Sequence, residues 1–127
     1  MNHSVLVDSD IVIDFLRGEK RALALLKAEM DALCFSSITV AEIYARVRSE
    51  REAEEMERLF SLIPVLAVTH EIAREAGKFV MQYRASHSVE LPDAIIAATS
   101  IVHRATLCTL NVERYPMIRN LKPPYRK

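Results

Sequence analysis

Acidic and amide side chains stand where predicted strands end and predicted helices begin. Asp8 directly follows the apolar run of residues 5–7, and Asn111 directly follows the run of residues 106–110. Glu42 and Asp93 fall near the starts of predicted helices, where the positive end of the helix dipole favours an anion. Because strand ends and the starts of the following helices share one edge of a parallel sheet, three carboxylates and one amide are expected to converge.

The chemistry that such a cluster fits is the binding of a hard divalent cation. Oxygen ligands suit Mg²⁺ or Mn²⁺, which keep several waters and are usually held together with substrate phosphates. Without a cation, carboxylates within ~5 Å of one another would repel by ~1 kcal/mol or more per pair. This crowding predicts a raised pKa for at least one of the acids.

Each of these side chains also has a local interpretation. Glu42 follows Thr39 by three residues, which matches a capping box with Thr39 at the start of the helix. Asp93 is a carboxylate in a first helical turn, and Asn111 is a common turn residue. Taken singly, the local interpretation is sufficient for all of them except Asp8, but their joint placement at one edge favours a shared site.

Short apolar runs alternate with amphipathic helical patterns, and this alternation predicts the fold. Strands are expected at residues 5–7, 33–36, 65–68 and 106–110, with helices between them. Gly18 stands where the first helix should end in the left-handed conformation, and Thr69 where a long helix should be capped. Strands alternating with helices pair in parallel. We predict an α/β fold, an α/β/α sandwich around a four- to five-stranded parallel sheet, in a single domain over residues 1–127.

The composition excludes several classes of protein. Gly18 and Gly77 are the only glycines, so no glycine-rich phosphate loop of the Walker or Rossmann type can be formed. Cys34 and Cys108 lie in apolar runs without zinc-ligand spacing, which indicates buried free thiols in a reducing compartment. No segment approaches the ~18 apolar residues of a membrane span. We therefore expect a cytoplasmic protein with no membrane partner.

The formal charge is balanced overall but unevenly distributed. Residues 104–127 carry six Lys or Arg side chains and one acid, whereas residues 1–103 carry 11 basic and 16 acidic side chains. A basic tail is either a solvated surface or a site for a polyanion, and its composition alone favours the solvated surface.

Four motifs resemble, in order and approximate spacing, those of PIN-domain ribonucleases. The closest resemblance is to the small VapC-type toxins of bacterial and archaeal toxin–antitoxin pairs, and it covers essentially the whole chain. The motifs are residues 5–18 (VLVDSDIVIDFLRG), residues 36–43 (SSITVAEI), residues 91–99 (LPDAIIAAT), and residues 108–111 (CTLN) followed by Tyr115.

The resemblance implies a Mg²⁺-dependent endoribonuclease, with Mn²⁺ as a possible substitute. It assigns metal binding to Asp8, Glu42 and Asp93, and the fourth catalytic position to Asn111, where many members have an acid. The bound metal would activate a water for in-line attack on an RNA phosphodiester and leave 5′-phosphate and 3′-hydroxyl ends. With an amide at Asn111 one charge is missing, which argues against a tightly held second metal.

Three further side chains receive supporting roles from the resemblance. Asp10 stands where the family often has Asn or Ser, and it could supply part of the missing charge. Thr39 and Thr109 would be hydroxyls that support the metal-binding acids; a helix cap and a strand-end residue are their local interpretations.

The resemblance also implies binding partners. These are RNA as the substrate, a cognate antitoxin protein, and a second copy of the chain in a homodimer. The amphipathic helices over residues 53–63 and 69–86 are predicted to pair and to clamp an apolar antitoxin segment. The side chains assigned to that clamp are Met56, Phe60, Phe79 and Tyr83.

Two other functions remain open at this point. The residues Asp8-Ser9-Asp10-Ile11-Val12 also match the opening of haloacid-dehalogenase-type phosphatases, in which the first Asp is a nucleophile. That class needs a downstream Lys and a later acidic pair, and residues 93–111 contain neither. Alternatively, the acids belong to a non-catalytic PIN-like module and bind a partner's Arg side chains. A nuclease assay with and without Mg²⁺ separates this module from an enzyme.

Overall fold

The computed structural model describes residues 3–126, so Lys127 of the basic tail and the two ends of the predicted domain lie outside the described residues. The sheet within these residues has four strands: β1 (Val5–Val7), β2 (Leu33–Ser36), β3 (Val65–Leu66) and β4 (Thr106–Cys108). All are parallel, in the order β3-β2-β1-β4. Leu6 in the central strand β1 is in register with Cys34 of β2 and Leu107 of β4.

Six α-helices within the described residues connect and cover the strands. They are α1 (Ser9–Leu16), α2 (Lys20–Ala28), α3 (Ser37–Tyr44), α4 (Glu50–Leu62), α5 (His70–His87) and α6 (Leu91–His103), and a 3-10 turn follows β4 at Val112–Arg114. Most of them begin at a side-chain cap: Asp8 caps α1, and Thr69 caps α5 as predicted. Gly18 follows α1 with φ +84°, the left-handed conformation that glycine adopts without strain.

The predicted start of α3 is wrong. Ser36, rather than Thr39, is the N-cap, and its hydroxyl accepts a hydrogen bond of 3.2 Å from the backbone N–H of Ile38. β2 runs directly into the helix, so the first hydroxyl after the strand takes the capping position. Glu42 consequently lies in the second turn of α3, and it is not the far half of a capping box.

The two faces of the sheet carry different helices. Val5 and Val7 pack with α1, α2, α3 and α4 on one face, whereas Leu6 and Leu107 pack with α6 and Tyr115 on the other. α5 belongs to the layer on this second face, where it packs Ile72 against α6. This three-layer arrangement confirms the predicted α/β/α sandwich.

The predicted pairing of α4 with α5 is wrong. Met56 of α4 is fully buried in the core that includes β1 and β2, whereas Ile72 of α5 packs against α6 beyond the opposite face. An amphipathic pattern reports that a helix has a buried face but does not report its partner. Met56 is therefore unavailable for the predicted clamp.

Two expectations from composition can be compared with the structure. Cys34 and Cys108 are both buried free thiols, as predicted. Burial raises the pKa of Cys34 and raises that of Cys108 to about 12, so neither is a ready thiolate. Within residues 3–126, no helix combines the length and the apolar character needed to cross a membrane.

Candidate active site

A cleft of about 320 Å³ opens at the carboxyl edge of the sheet. β1 delivers Asp8, the loop after β4 delivers Asn111, and α3 and α6 deliver Glu42 and Asp93. All four sequence-predicted catalytic residues therefore border one cavity. The residues lining the cleft are Asp8, Ser9, Asp10, Ile13, Asp14, Glu42, Arg46, Asp93, Asn111 and Arg114.

Asp8 is held by three hydrogen-bond donors. Its Oδ1 accepts a bond of 2.8 Å from the backbone N–H of Ser9 at the start of α1. Its Oδ2 accepts 2.8 Å and 2.6 Å bonds from the hydroxyls of Thr109 and Tyr115. Asp8 is only 6% exposed, and these donors replace the water that its carboxylate lost on burial.

The two carboxylate oxygens of Asp10 have different surroundings. Its Oδ2 accepts hydrogen bonds from the backbone N–H of Leu110 and the side-chain amide of Asn111, at 3.0 and 3.1 Å, and lies 3.2 Å from the Thr109 hydroxyl. Its Oδ1 is buried and has no hydrogen-bond partner among the described residues. Burial, and secondarily the charge of Asp8, raises the pKa of Asp10 from 3.8 to about 6. Among the acids of the cleft, Asp10 thus has the largest rise in pKa, and its ionised form destabilises the folded protein most.

Glu42 and Asp93 are half-buried and lie beside cations. Burial is the largest cause that raises the pKa of each, and the charge of Asp8 raises both further. The raised pKa agrees with the sequence prediction, although repulsion between the acids is a smaller cause than burial. Arg114 opposes the rise at Asp93, from whose Oδ2 its guanidinium lies 4.0 Å away, and Arg46 opposes the rise at Glu42.

The two predicted supporting hydroxyls differ in their surroundings. Thr109 has one hydroxyl proton, which it donates to Asp8 Oδ2 at 2.8 Å, the shorter of its contacts with the two acids. Thr39 is fully buried inside α3, and its hydroxyl has no hydrogen-bond partner among residues 3–126. Thr39, in the first turn of α3, therefore does not hydrogen-bond to an acid of the cleft.

Sequence reasoning missed the roles of Tyr115, Arg46 and Arg114 at this cleft. Tyr115 follows a strand end by seven residues, and no periodic pattern indicates that its hydroxyl returns to Asp8. The two arginines lie after α3 and in the 3-10 turn, where exposed basic residues are usual. Only the position of Arg114 close to Asn111 could have indicated a place in the site.

As the side chains stand, no three His, Cys, Asp or Glu residues in the described part of the chain come close enough together to hold a metal ion. The acids border a common cavity but are spread around it.

The family model for the PIN domain matches residues 5–113. The chain belongs to the PIN-domain family. Two relatives in Mycobacterium tuberculosis (strain ATCC 25618 / H37Rv) are each 41% identical to it. Ribonuclease VapC19 aligns over 94% of this chain and 98% of its own length. Ribonuclease VapC10 aligns over 95% of this chain and 92% of its own length.

Two solved structures share the fold of this chain. The chain superposes with a TM-score of 0.81 and 27% identity on a chain of a toxin–antitoxin complex from Klebsiella pneumoniae, covering 98% of this chain and 100% of the other. It superposes with a TM-score of 0.79 and 20% identity on a chain of the DNA-bound VapBC from Salmonella typhimurium, covering 95% and 96%. The second likeness concerns the fold alone.

Proposed function

We propose that this protein is a divalent-metal-dependent endoribonuclease and the toxin of a toxin–antitoxin pair. The observation that carries the proposal is the oxygen-lined cleft on which Asp8, Glu42, Asp93 and Asn111 converge. The 41% identity to ribonucleases over nearly the whole chain supports RNA as the substrate.

The donors around the cleft fit a hard cation, and membership of the PIN-domain family implies a divalent metal. Carboxylates and an amide, without thiolate or imidazole, are the ligand set that Mg²⁺ or Mn²⁺ prefers. Asp8, Glu42 and Asp93 would hold the ion, and Asn111 would add a neutral oxygen. Since Mg²⁺ keeps several of its waters, acids that are spread around the cleft can still share one ion.

The ion would supply a nucleophilic water and neutralise charge on the phosphate. The protein's own part begins with Asp8, whose three hydrogen bonds keep its carboxylate in one orientation. Arg46 and Arg114 are the only cations lining the cleft within residues 3–126, and they would bind the RNA phosphate beside the acids. No His or Lys lines the cleft there, so a carboxylate of the cleft would accept the proton of the attacking water.

The partners follow from the same proposal. A cognate antitoxin would bind the chain, as in the complexes that share its fold, and a second copy would complete a homodimer. We propose a cytoplasmic location, which agrees with the two free thiols. Co-expression with the product of an adjacent short reading frame, followed by purification through a tag on this chain alone, would test the antitoxin.

The decisive experiment is cleavage of single-stranded RNA in Mg²⁺ and in EDTA. Asp8→Asn, Glu42→Gln and Asp93→Asn should each lower the cleavage rate about 100-fold or more. This should exceed the loss of about 10–100-fold that follows removal of an outer hydrogen-bond partner of a ligand, because each change alters a proposed metal ligand itself. Asn111→Ala should lose less, because it removes no charge. Glu57→Gln, at an exposed acid of α4, is the matched control and should retain the wild-type rate.

Other outcomes would separate the alternatives. Full activity of Asp93→Asn in Mg²⁺ would refute the assigned site. Absence of cleavage by the wild type, with retained binding of a basic partner, would support the non-catalytic module. The phosphatase alternative is disfavoured because no Lys lines the cleft in the described residues, and both Asp8 oxygens accept hydrogen bonds.

A further inference from the structure

Tyr115 places a phenol hydroxyl between two acids of the cleft. Its side chain is 1% exposed and packs with Leu6 and Ile96 beneath the site. The hydroxyl donates to Asp8 Oδ2 at 2.6 Å and lies 3.5 Å from Asp93 Oδ1. A Phe would fill the same space, so the packing of the ring alone does not account for the hydroxyl.

The hydrogen bonds around Asp8 are divided unequally between its two oxygens. Oδ2 accepts two hydroxyl donors, from Tyr115 and Thr109, whereas Oδ1 accepts only the backbone N–H of Ser9. A carboxylate oxygen has two lone-pair positions, so Oδ2 is saturated and Oδ1 retains one. The carboxylate can therefore offer an ion only Oδ1 in this orientation.

We propose that Tyr115 is a positioning residue for the metal site: its hydroxyl fixes the Asp8 carboxylate so that Oδ1 would be the oxygen left to bind an ion, and it lies between Asp8 and Asp93. This inference rests on the proposed function and adds to it a residue that contacts neither RNA nor metal. Removing an outer hydrogen-bond partner of a metal ligand typically costs 10–100-fold in affinity or activity.

The test is Mn²⁺ binding by the RNA-free protein, followed through the electron paramagnetic resonance signal of free Mn²⁺. Tyr115→Phe should raise the dissociation constant about tenfold or more. The control is Tyr83→Phe, which removes a phenol hydroxyl from α5 at a side chain that does not line the cleft. Its dissociation constant should stay within about twofold of the wild-type value.

A second readout separates positioning from a general structural effect. At limiting Mn²⁺, Tyr115→Phe should lower kcat for RNA cleavage and leave KM for RNA unchanged, and saturating Mn²⁺ should restore most of the rate. A wild-type dissociation constant for Tyr115→Phe, or a rate loss that saturating Mn²⁺ does not relieve, would overturn the inference. A wild-type protein that binds no Mn²⁺ and cuts no RNA would overturn the proposed function as well, which distinguishes the two failures.

Discussion

Asp10 should make the metal-free protein less stable as the pH rises. Its pKa is about 6 in the folded protein and 3.8 in its ordinary state, chiefly because it is buried and secondarily because Asp8 is charged. The folded protein therefore holds this proton more tightly than the unfolded chain does. The resulting stabilisation is fully present below about pH 4 and is lost as the pH rises through about 6.

The magnitude follows from the size of the shift. A rise of about two pKa units, at about 1.4 kcal/mol per unit, changes the free energy of unfolding by about 3 kcal/mol. Asp10→Asn cannot titrate and should lack this part of the pH dependence. The amide that replaces the unpartnered Oδ1 would itself find no acceptor, at a cost of about 1–3 kcal/mol that does not vary with pH. The informative quantity is therefore the pH dependence of each variant, and not its stability at one pH.

Urea unfolding in EDTA between about pH 4 and about pH 8 measures this quantity. Wild-type protein should lose about 3 kcal/mol more than Asp10→Asn across that range, and Glu42 and Asp93 should add to the loss in both proteins. Equal m-values for the two proteins would show that the comparison concerns the folded state. Two curves that run parallel to within about 0.5 kcal/mol would refute the account of Asp10 as the strained acid.

Three further variants test other parts of the structure. Asn111→Asp replaces the amide that donates to Asp10 with a like charge, so it should lower the free energy of unfolding in EDTA by about 1–3 kcal/mol. Thermal melting should show that Mn²⁺ restores more stability to this variant than to wild type. Gly18→Ala should cost about 1 kcal/mol in urea unfolding, because its φ of +84° strains any other residue while its surroundings leave room for a Cβ. Met56→Asp should abolish folding as judged by circular dichroism, whereas Met81→Asp, at a side chain 77% exposed, should be tolerated.

The elements of the fold could largely be predicted because their signals are local. Thr69 and Gly18 mark helix ends by their own conformational preferences, and the apolar run at residues 5–7 marks a buried strand. The start of α3 could not be predicted, since Ser36, Ser37 and Thr39 can all cap a helix. The end of β2 decided among them, and that end depends on pairing with other strands.

The placement of the candidate site could be predicted, but its hydrogen bonds could not. Topology alone brings Asp8, Glu42, Asp93 and Asn111 to one edge, since each lies at a strand end or near the start of a helix there. The bonds from Tyr115 to Asp8 and from Asn111 to Asp10 join residues about a hundred positions apart. No sequence pattern encodes such contacts, because they depend on where the chain runs after β4.

These contacts change the interpretation of the acidic cluster. The sequence predicts acids under mutual repulsion. Asp8, whose charge raises the pKa of Asp10, Glu42 and Asp93, is nevertheless held by three donors, and the unpartnered oxygen belongs to Asp10. Asn111 donates its amide to Asp10, so the neutral residue at the fourth position stabilises the extra acid two residues after Asp8. The negative charge missing at Asn111 is thus present at Asp10, on the same cleft. A cation bound beside Asp8 would therefore also interact with the charge of Asp10, and its binding would offset the cost of keeping Asp10 buried and ionised.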